Sequence, residues 1–123
     1  MSNTKHTITD SEYEIMKILW GTEKKLSVSE VVTALCGNDW TASTVSTFLQ
    51  RLLKKGIIAC DKKGKANLYY PILKEEEYGL EETESFLKKL YKGSVKNLVA
   101  ALYDGKKLSE DDLSELKKLF ELE

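Results

Sequence analysis

The chain has 123 residues, of which 41% are hydrophobic, and a net charge of −1. That length allows one ordinary domain, or a compact domain with a shorter appendage, and excludes two full-sized domains. No apolar run approaches the length needed to cross a bilayer, and the opening MSNTKHTITDSE lacks the apolar core of a signal sequence, so a soluble cytoplasmic protein with no membrane association is expected.

Cys36 and Cys60 are too few and too far apart for a disulfide framework, and neither belongs to a CxxC or Cys/His spacing that would hold zinc. Both are expected to be reduced, small core residues, with no metal and no other cofactor. The small net charge conceals an uneven distribution. Residues 1–39 carry four Lys/Arg and six Asp/Glu, residues 40–71 carry six and one, and residues 72–123 carry nine and thirteen. A basic middle between acidic ends suggests a local surface for a polyanion, with a solvated face lacking any partner as the competing reading.

The first helix is expected to start at Thr9, whose hydroxyl can cap while Glu12 returns the bond, and to run through Tyr13, Met16, Leu19 and Trp20 to Gly21. A polar turn leads through Leu26 to Ser27, which forms a second capping box with Glu30. Val28, Val31, Val32 and Leu35 then follow helical spacing. Gly37, Asn38 and Asp39 break that helix, and after Trp40 a third helix spans Thr41 to Lys55, with Gly56 as a left-handed cap.

On the third helix Val45, Phe48, Leu49, Leu52 and Leu53 form an apolar stripe roughly 140° wide at about 100° per residue, which should face the core. Ser43, Thr47, Gln50 and Lys54 point almost opposite, flanked by Ser46 on one side and by Thr44 and Arg51 on the other. No carboxylate occurs from 41 to 55. A helix selected only for solubility would mix Glu with Lys on its outer face, so this surface favours a polyanion.

After Gly56 the period changes to two. Ile58 and Cys60 alternate with Ala59 and Asp61, Lys62, Lys63, Gly64 and Lys65 make a turn, and Leu68 and Tyr70 resume the alternation until Pro71, which has no amide for the ladder. Three helices followed by a lysine-tipped hairpin is the order of a winged helix. The fold class expected is mainly α with a small β-hairpin: a winged helix-turn-helix domain over residues 1–71, followed by a helical region over 72–123 that is expected to serve dimerisation.

From residue 72 the composition is helical and acidic, interrupted by Gly79, Gly93 and Gly105. Three helices are expected: about Glu75 to Tyr91, one from Ser94, and one from Ser109, which can cap toward Asp112. Their apolar residues Phe86, Leu87, Leu90, Val95, Leu98, Val99, Leu102, Leu113, Leu116, Leu119 and Phe120 are the candidate dimer face. Some fifty residues enclose no stable core alone, and an isologous pairing would let each apolar face meet its copy. A monomer with these helices folded onto the winged helix is the competing arrangement.

Catalysis finds little support. His6 is the only histidine and is expected to be a spectator in a frayed terminus, neither cysteine has a histidine near it in sequence, and GKANLYYP follows a strand without opening a helix, so it is no phosphate loop. The acidic runs at 75–77 and 110–112 look like ordinary first-turn residues. The remaining rival is a winged helix that serves as a protein-binding adaptor.

ITDSEYEIMKILW, WTASTVSTFLQRLLKKGII, GKANLYYP and LSEDDLSELKKLF together resemble the penicillinase-repressor family, the BlaI/MecI type that also includes copper-responsive repressors, over about Ile8 to Phe120. The resemblance implies a homodimeric transcriptional repressor on a palindromic double-stranded DNA operator, with the third helix in the major groove and the wing on the backbone. It also implies relief of repression by a signal, in some members through a membrane sensor and protease. It places Thr44 and Thr47 near bases and Arg51 on phosphates. Ser43 and Ser46 stand where close relatives often carry lysine, and Ala101-Leu102 stands where antibiotic-responsive members are cut at an Asn-Phe bond. The cysteine pairs of the copper-responsive members are missing from ELKKLFELE.

On duplex DNA, Arg51, Lys54, Lys55, Lys62, Lys63 and Lys65 would neutralise phosphates and release counterions, which gives affinity but little sequence choice. Choice would fall to Ser43, Thr44, Ser46, Thr47 and Gln50, with Gln50 able to pair with adenine and a threonine methyl able to meet thymine.

Overall fold

A computed structural model of the chain describes residues 6–121, with side chains through Leu119. These residues form two compact units that divide between Glu81 and Glu82.

In the first unit, α1 (Asp10–Trp20), α2 (Val28–Ala34) and α3 (Ala42–Lys54) precede an antiparallel hairpin of β1 (Ile58–Lys63) and β2 (Ala66–Pro71). Each helix starts where a hydroxyl replaces a missing partner for the first amides. Thr9 accepts from the Glu12 amide and Ser27 from the Glu30 amide, both in reciprocal capping boxes, and Thr41 accepts from Thr44. Gly56 follows α3 at φ +77°, the left-handed conformation that a side chain resists. Leu26, expected only within a turn, bridges Tyr69 on the free edge of β2, with Leu26 N–H to Tyr69 O at 2.9 Å and Tyr69 N–H to Leu26 O at 2.7 Å. A one-residue bridge is thus added along the outer edge of the hairpin.

Ile15, Met16 and Leu19 of α1, Val31 of α2, Val45, Leu49 and Leu52 of α3, and Ile57 meet in one core, each fully buried. Burial of each such side chain is worth roughly 1.5–3 kcal/mol. α3 packs on both α1 and α2, so its apolar stripe is covered and its opposite face is left outward. Phe48 and Leu53 sit half-buried at the margins of the stripe.

The hairpin corrects the phase read from its second strand. Cross-strand partners share a face, and the register pairs Cys60 with Tyr69 and Asp61 with Leu68. Tyr69 therefore enters the core at 1% exposure, while Leu68 and Tyr70 lie on the other face. The loop is also tighter than expected, since Lys62 and Lys63 remain in β1 and only Gly64 and Lys65 connect the strands. Gly64, at φ +64°, occupies the first loop position, where a type II′ turn requires glycine.

The first unit runs ten residues past the boundary expected after Pro71. Ile72 and Leu73 both donate to the Ile57 carbonyl, at 2.9 and 3.1 Å, and the Trp20 indole donates to the Leu73 carbonyl at 2.9 Å. Tyr78 joins Tyr13 and Trp20 in a three-ring cluster, with centroids 5.9–6.2 Å apart. Two further expectations are corrected. His6 does not lie in a frayed terminus, because its amide and ring Nδ1 both reach the Glu81 carboxylate at 2.9 Å. Cys36 is exposed, since Leu35 takes the last inward position of its turn, and Cys60 is only half-buried.

α4 (Glu75–Tyr91) begins in the first unit, continues through Gly79 without a break and ends in the second, which also holds α5 (Val95–Asp104) and α6 (Glu110–Glu121). Ser94 caps α5, and Ser109 exchanges bonds with Asp112 at the start of α6. The second unit buries little. Phe86, Leu90, Val95, Leu102, Tyr103 and Leu119 are exposed, Leu98, Val99, Leu113 and Leu116 are half-buried, and Leu87 alone of the expected dimer face is already covered within the single chain. The side chain of Phe120 lies outside the described residues. Among the described residues no helix is long and apolar enough to cross a membrane.

One charged group lies within the first core. Glu12, at 1% exposure, accepts on Oε1 from the Thr9 amide at 3.0 Å and from Lys55 Nζ at 2.6 Å, tying the start of α1 to the end of α3. Burial pushes the Glu12 carboxyl up, but the bonds from Lys55 and Thr9 together outweigh it and hold the net value below the ordinary one. The native state thus favours the carboxylate. Its stabilisation is complete above the ordinary glutamate value of about 4.3 and is lost as the pH falls through the lower native value. In Glu12→Gln, the acid side of the stability profile should flatten. Stability at pH 7 should fall by about 1–3 kcal/mol, less than the ~3–5 kcal/mol of a fully buried pair, because Lys55 is 34% exposed. Urea titrations from pH 3 to 7 measure both effects.

Candidate nucleic-acid interface

The outward face of α3 is built from short and cationic side chains. Ser43, Thr47, Gln50, Arg51 and Lys54 are exposed, and Thr44 and Ser46 are half-buried on the flanks. Thr47 donates its hydroxyl to the Ser43 carbonyl at 3.1 Å, so its methyl group and oxygen lone pair remain for a ligand. Thr44 accepts a hydroxyl bond from Thr41 at 3.2 Å. Trp40 lies against Phe48 with ring centroids 5.1 Å apart, and the Arg51 guanidinium sits 5.6 Å from the Phe48 ring. This stacking limits the directions open to the long arginine side chain while leaving its donors outward.

Beside α3, the hairpin presents its two faces differently. Tyr69, Asn67 and Lys62 share one face, because Asn67 pairs with Lys62 and lies two residues from Tyr69 on the same strand. That face adjoins the helix, where Gln50 Nε2 donates to the Tyr69 hydroxyl at 3.4 Å. The opposite face carries Lys63, Leu68, Tyr70 and Asp61. Asp61, the one acidic residue between 40 and 71, is engaged by Lys25 from the α1–α2 connection, whose Nζ also lies 4.5 Å from the Tyr70 ring. The Asp61 contact raises the Lys25 ammonium above its ordinary value. With this carboxylate neutralised, Lys62, Lys63 and Lys65 dominate the charge of an exposed tip.

The structure thus gathers Ser43, Thr44, Ser46, Thr47, Gln50, Arg51 and Lys54 on one helix face, with Lys62 on the hairpin face beside it and Lys63 and Lys65 at the hairpin tip. Lys55 does not join them. Expected among the phosphate-binding cations, it is held by Glu12 and by the Thr7 carbonyl at 2.9 Å, one helical step around from Lys54. Asn67, Tyr69 and Lys25 escaped sequence reasoning. The alternation of β2, phased from its pairing with β1, would have revealed the first two, whereas the Lys25–Asp61 contact spans 36 residues and leaves no local signal. Among the described residues no group of three or more His, Cys, Asp and Glu could hold a metal ion.

A helix-turn-helix beside a two-stranded wing, with a carboxylate-free outer helix face, defines a winged-helix protein with a polyanion-compatible surface. The family profile described as "Penicillinase repressor" matches residues 8–121, and the chain belongs to that family. It is 31% identical over 120 residues to the methicillin resistance regulatory protein MecI of Staphylococcus aureus strain N315, covering 97% of both chains. To the penicillinase repressor of Bacillus licheniformis it is 31% identical over 115 residues, covering 93% of this chain and 89% of that one. Among solved structures it is similar to the DNA-binding domain of the repressor BlaI, with a TM-score of 0.53 and 32% identity over 63% of this chain and 94% of that one. It is also similar to the monomeric form of Bacillus licheniformis BlaI in complex with the blaP half-operator, with a TM-score of 0.50 and 34% identity over 58% of this chain and 88% of that one.

The contrast among the lysines can be read in solution. Brief acetylation of the folded protein, followed by peptide mass mapping, should label Lys54, Lys62, Lys63 and Lys65 early and Lys55 and Lys25 late. Equal labelling of Lys54 and Lys55 would contradict the Glu12 pairing.

Proposed function

We propose that this chain is a sequence-specific, DNA-binding transcriptional repressor that acts as a homodimer on a palindromic operator in the cytoplasm. The observation that carries the reading is the outer face of α3, free of carboxylates and set beside a lysine-tipped hairpin. On B-DNA a single helix of this kind fits the major groove, and the adjoining hairpin reaches the backbone. Ser43, Thr44, Ser46, Thr47 and Gln50 are the base-reading candidates. Arg51, Lys54, Lys62, Lys63 and Lys65 serve the phosphates, while Lys55 holds the fold. Membership of the penicillinase repressor family supports the repressor role, and the BlaI half-operator complex supports duplex DNA as the ligand.

Pairing of two chains through α4–α6 is favoured by the exposed Phe86, Leu90, Val95, Leu102 and Leu119, which a soluble protein gains by covering. Release through a membrane sensor and protease rests on the family resemblance alone. Ala101-Leu102 lies inside the continuous helix α5, a backbone that must unwind before a protease can take it as an extended strand.

Mobility-shift titrations at two salt concentrations test the DNA reading, because phosphate binding weakens steeply with salt. Arg51→Ala should weaken binding severalfold and lower the salt slope by about one per chain. An unchanged affinity and slope would refute the proposed docking, and no shift at low salt would favour an adaptor. A fragment ending after Glu81 should sediment as a monomer while the full chain sediments as a dimer. A dimeric fragment would reassign the pairing surface.

A further inference from the structure

The Tyr69 hydroxyl is held where a core residue has no need of one. The ring is 1% exposed, and its backbone is fixed on both edges, by Leu26 on one side and by pairing with Cys60 on the other. Phenylalanine would fill the same space, so packing accounts for the ring but not for the hydroxyl. A buried tyrosine hydroxyl ordinarily finds a partner, and here the partner is Gln50, an exposed side chain on the outer face of α3, 19 residues away in sequence.

We propose that Tyr69 is a positioning residue for Gln50, so that the wing strand sets the direction in which the helix presents its amide to a base. The inference rests on reading α3 as the base-reading helix. A glutamine on a helix surface has several rotatable bonds and loses rotamer entropy when a ligand fixes it. One amide proton given to a hydroxyl that cannot move meets part of that cost before DNA arrives. The amide retains its other proton and the Oε1 acceptor, the pair needed for bidentate recognition of adenine. The bond is long at 3.4 Å, so its effect should be that of a modest neutral hydrogen bond, about threefold to tenfold in affinity.

The test uses the full chain and duplexes enriched by it from a pool with a randomised core. Wild type, Tyr69→Phe, Gln50→Ala and the double variant are compared for the ratio of affinities for the enriched and random duplexes, with thermal unfolding followed in parallel. The expected result is a threefold to tenfold smaller ratio in Tyr69→Phe, with base preference relaxed at one symmetry-related position. In the Gln50→Ala background, Tyr69→Phe should have no further effect, because the hydroxyl acts through that amide. A Tyr69→Phe ratio equal to wild type, or effects that simply add, would overturn the proposal even if stability falls, since Gln50 would then only satisfy a buried hydroxyl. A wild-type chain that enriches no sequence would overturn both this inference and the DNA reading beneath it.

Discussion

The first unit depends on the burial of one side of α3. Val45, Leu49 and Leu52 have no exposed surface, and their positions at i, i+4 and i+7 leave a single rotational setting in which all three reach the core. That setting determines what the other side offers. Ser43, Thr47, Gln50 and Lys54 face outward because Val45, Leu49 and Leu52 face in. A one-residue slip that brought Gln50 into the buried site of Leu49 would carry Leu52 to the exposed site of Arg51. Packing therefore holds the register of the candidate interface as a whole, and the contacts of single side chains act within that register.

Two polar contacts refine that setting from opposite ends. At the end of α3, Glu12 draws Lys55 away from the cationic face and secures it to the first turn of α1. A capping-box glutamate thus serves both its own helix and the helix it packs against, and one basic residue becomes part of the scaffold. Midway along α3, the Tyr69 hydroxyl joins the wing strand to Gln50. The proposed base-reading and backbone-contacting elements are thereby joined directly to each other. Lys25 acts on the far side of the wing, where its contact with Asp61 offsets the one carboxylate of the basic segment.

The second unit follows a different logic. Its helices α5 and α6 start at serine caps and carry regular apolar spacing, yet most of the large apolar side chains of this unit retain substantial exposure. A dozen or so residues per helix supply local helical structure, but three short helices do not supply enough mutual area to cover themselves. The proposed homodimer answers that shortage.

Much of this protein was legible in its sequence because the signals are local. Thr9 with Glu12, Ser27 with Glu30, Thr41, Gly56, Ser94 and Ser109 mark helix ends through bonds that span three or four residues. The stripe on α3 follows from a period of 3.6, and that period alone separates its core face from its outer face. Tertiary structure decided what depends on distance through space. Lys54 and Lys55 are neighbours with the same chemistry, and only the approach of Glu12, 43 residues away, assigns one to solvent and the other to the scaffold. Tyr69 and Tyr70 are likewise adjacent and alike, and only pairing with β1 and Leu26 selects which one enters the core. Likewise, residues 72–81 read as part of a separate helical region, but Leu73 and Tyr78 belong to the first unit because Ile57, Tyr13 and Trp20 are waiting there. The amino-acid order encodes periods and caps, whereas partner choice among equivalent side chains is settled only when the chain folds back on itself.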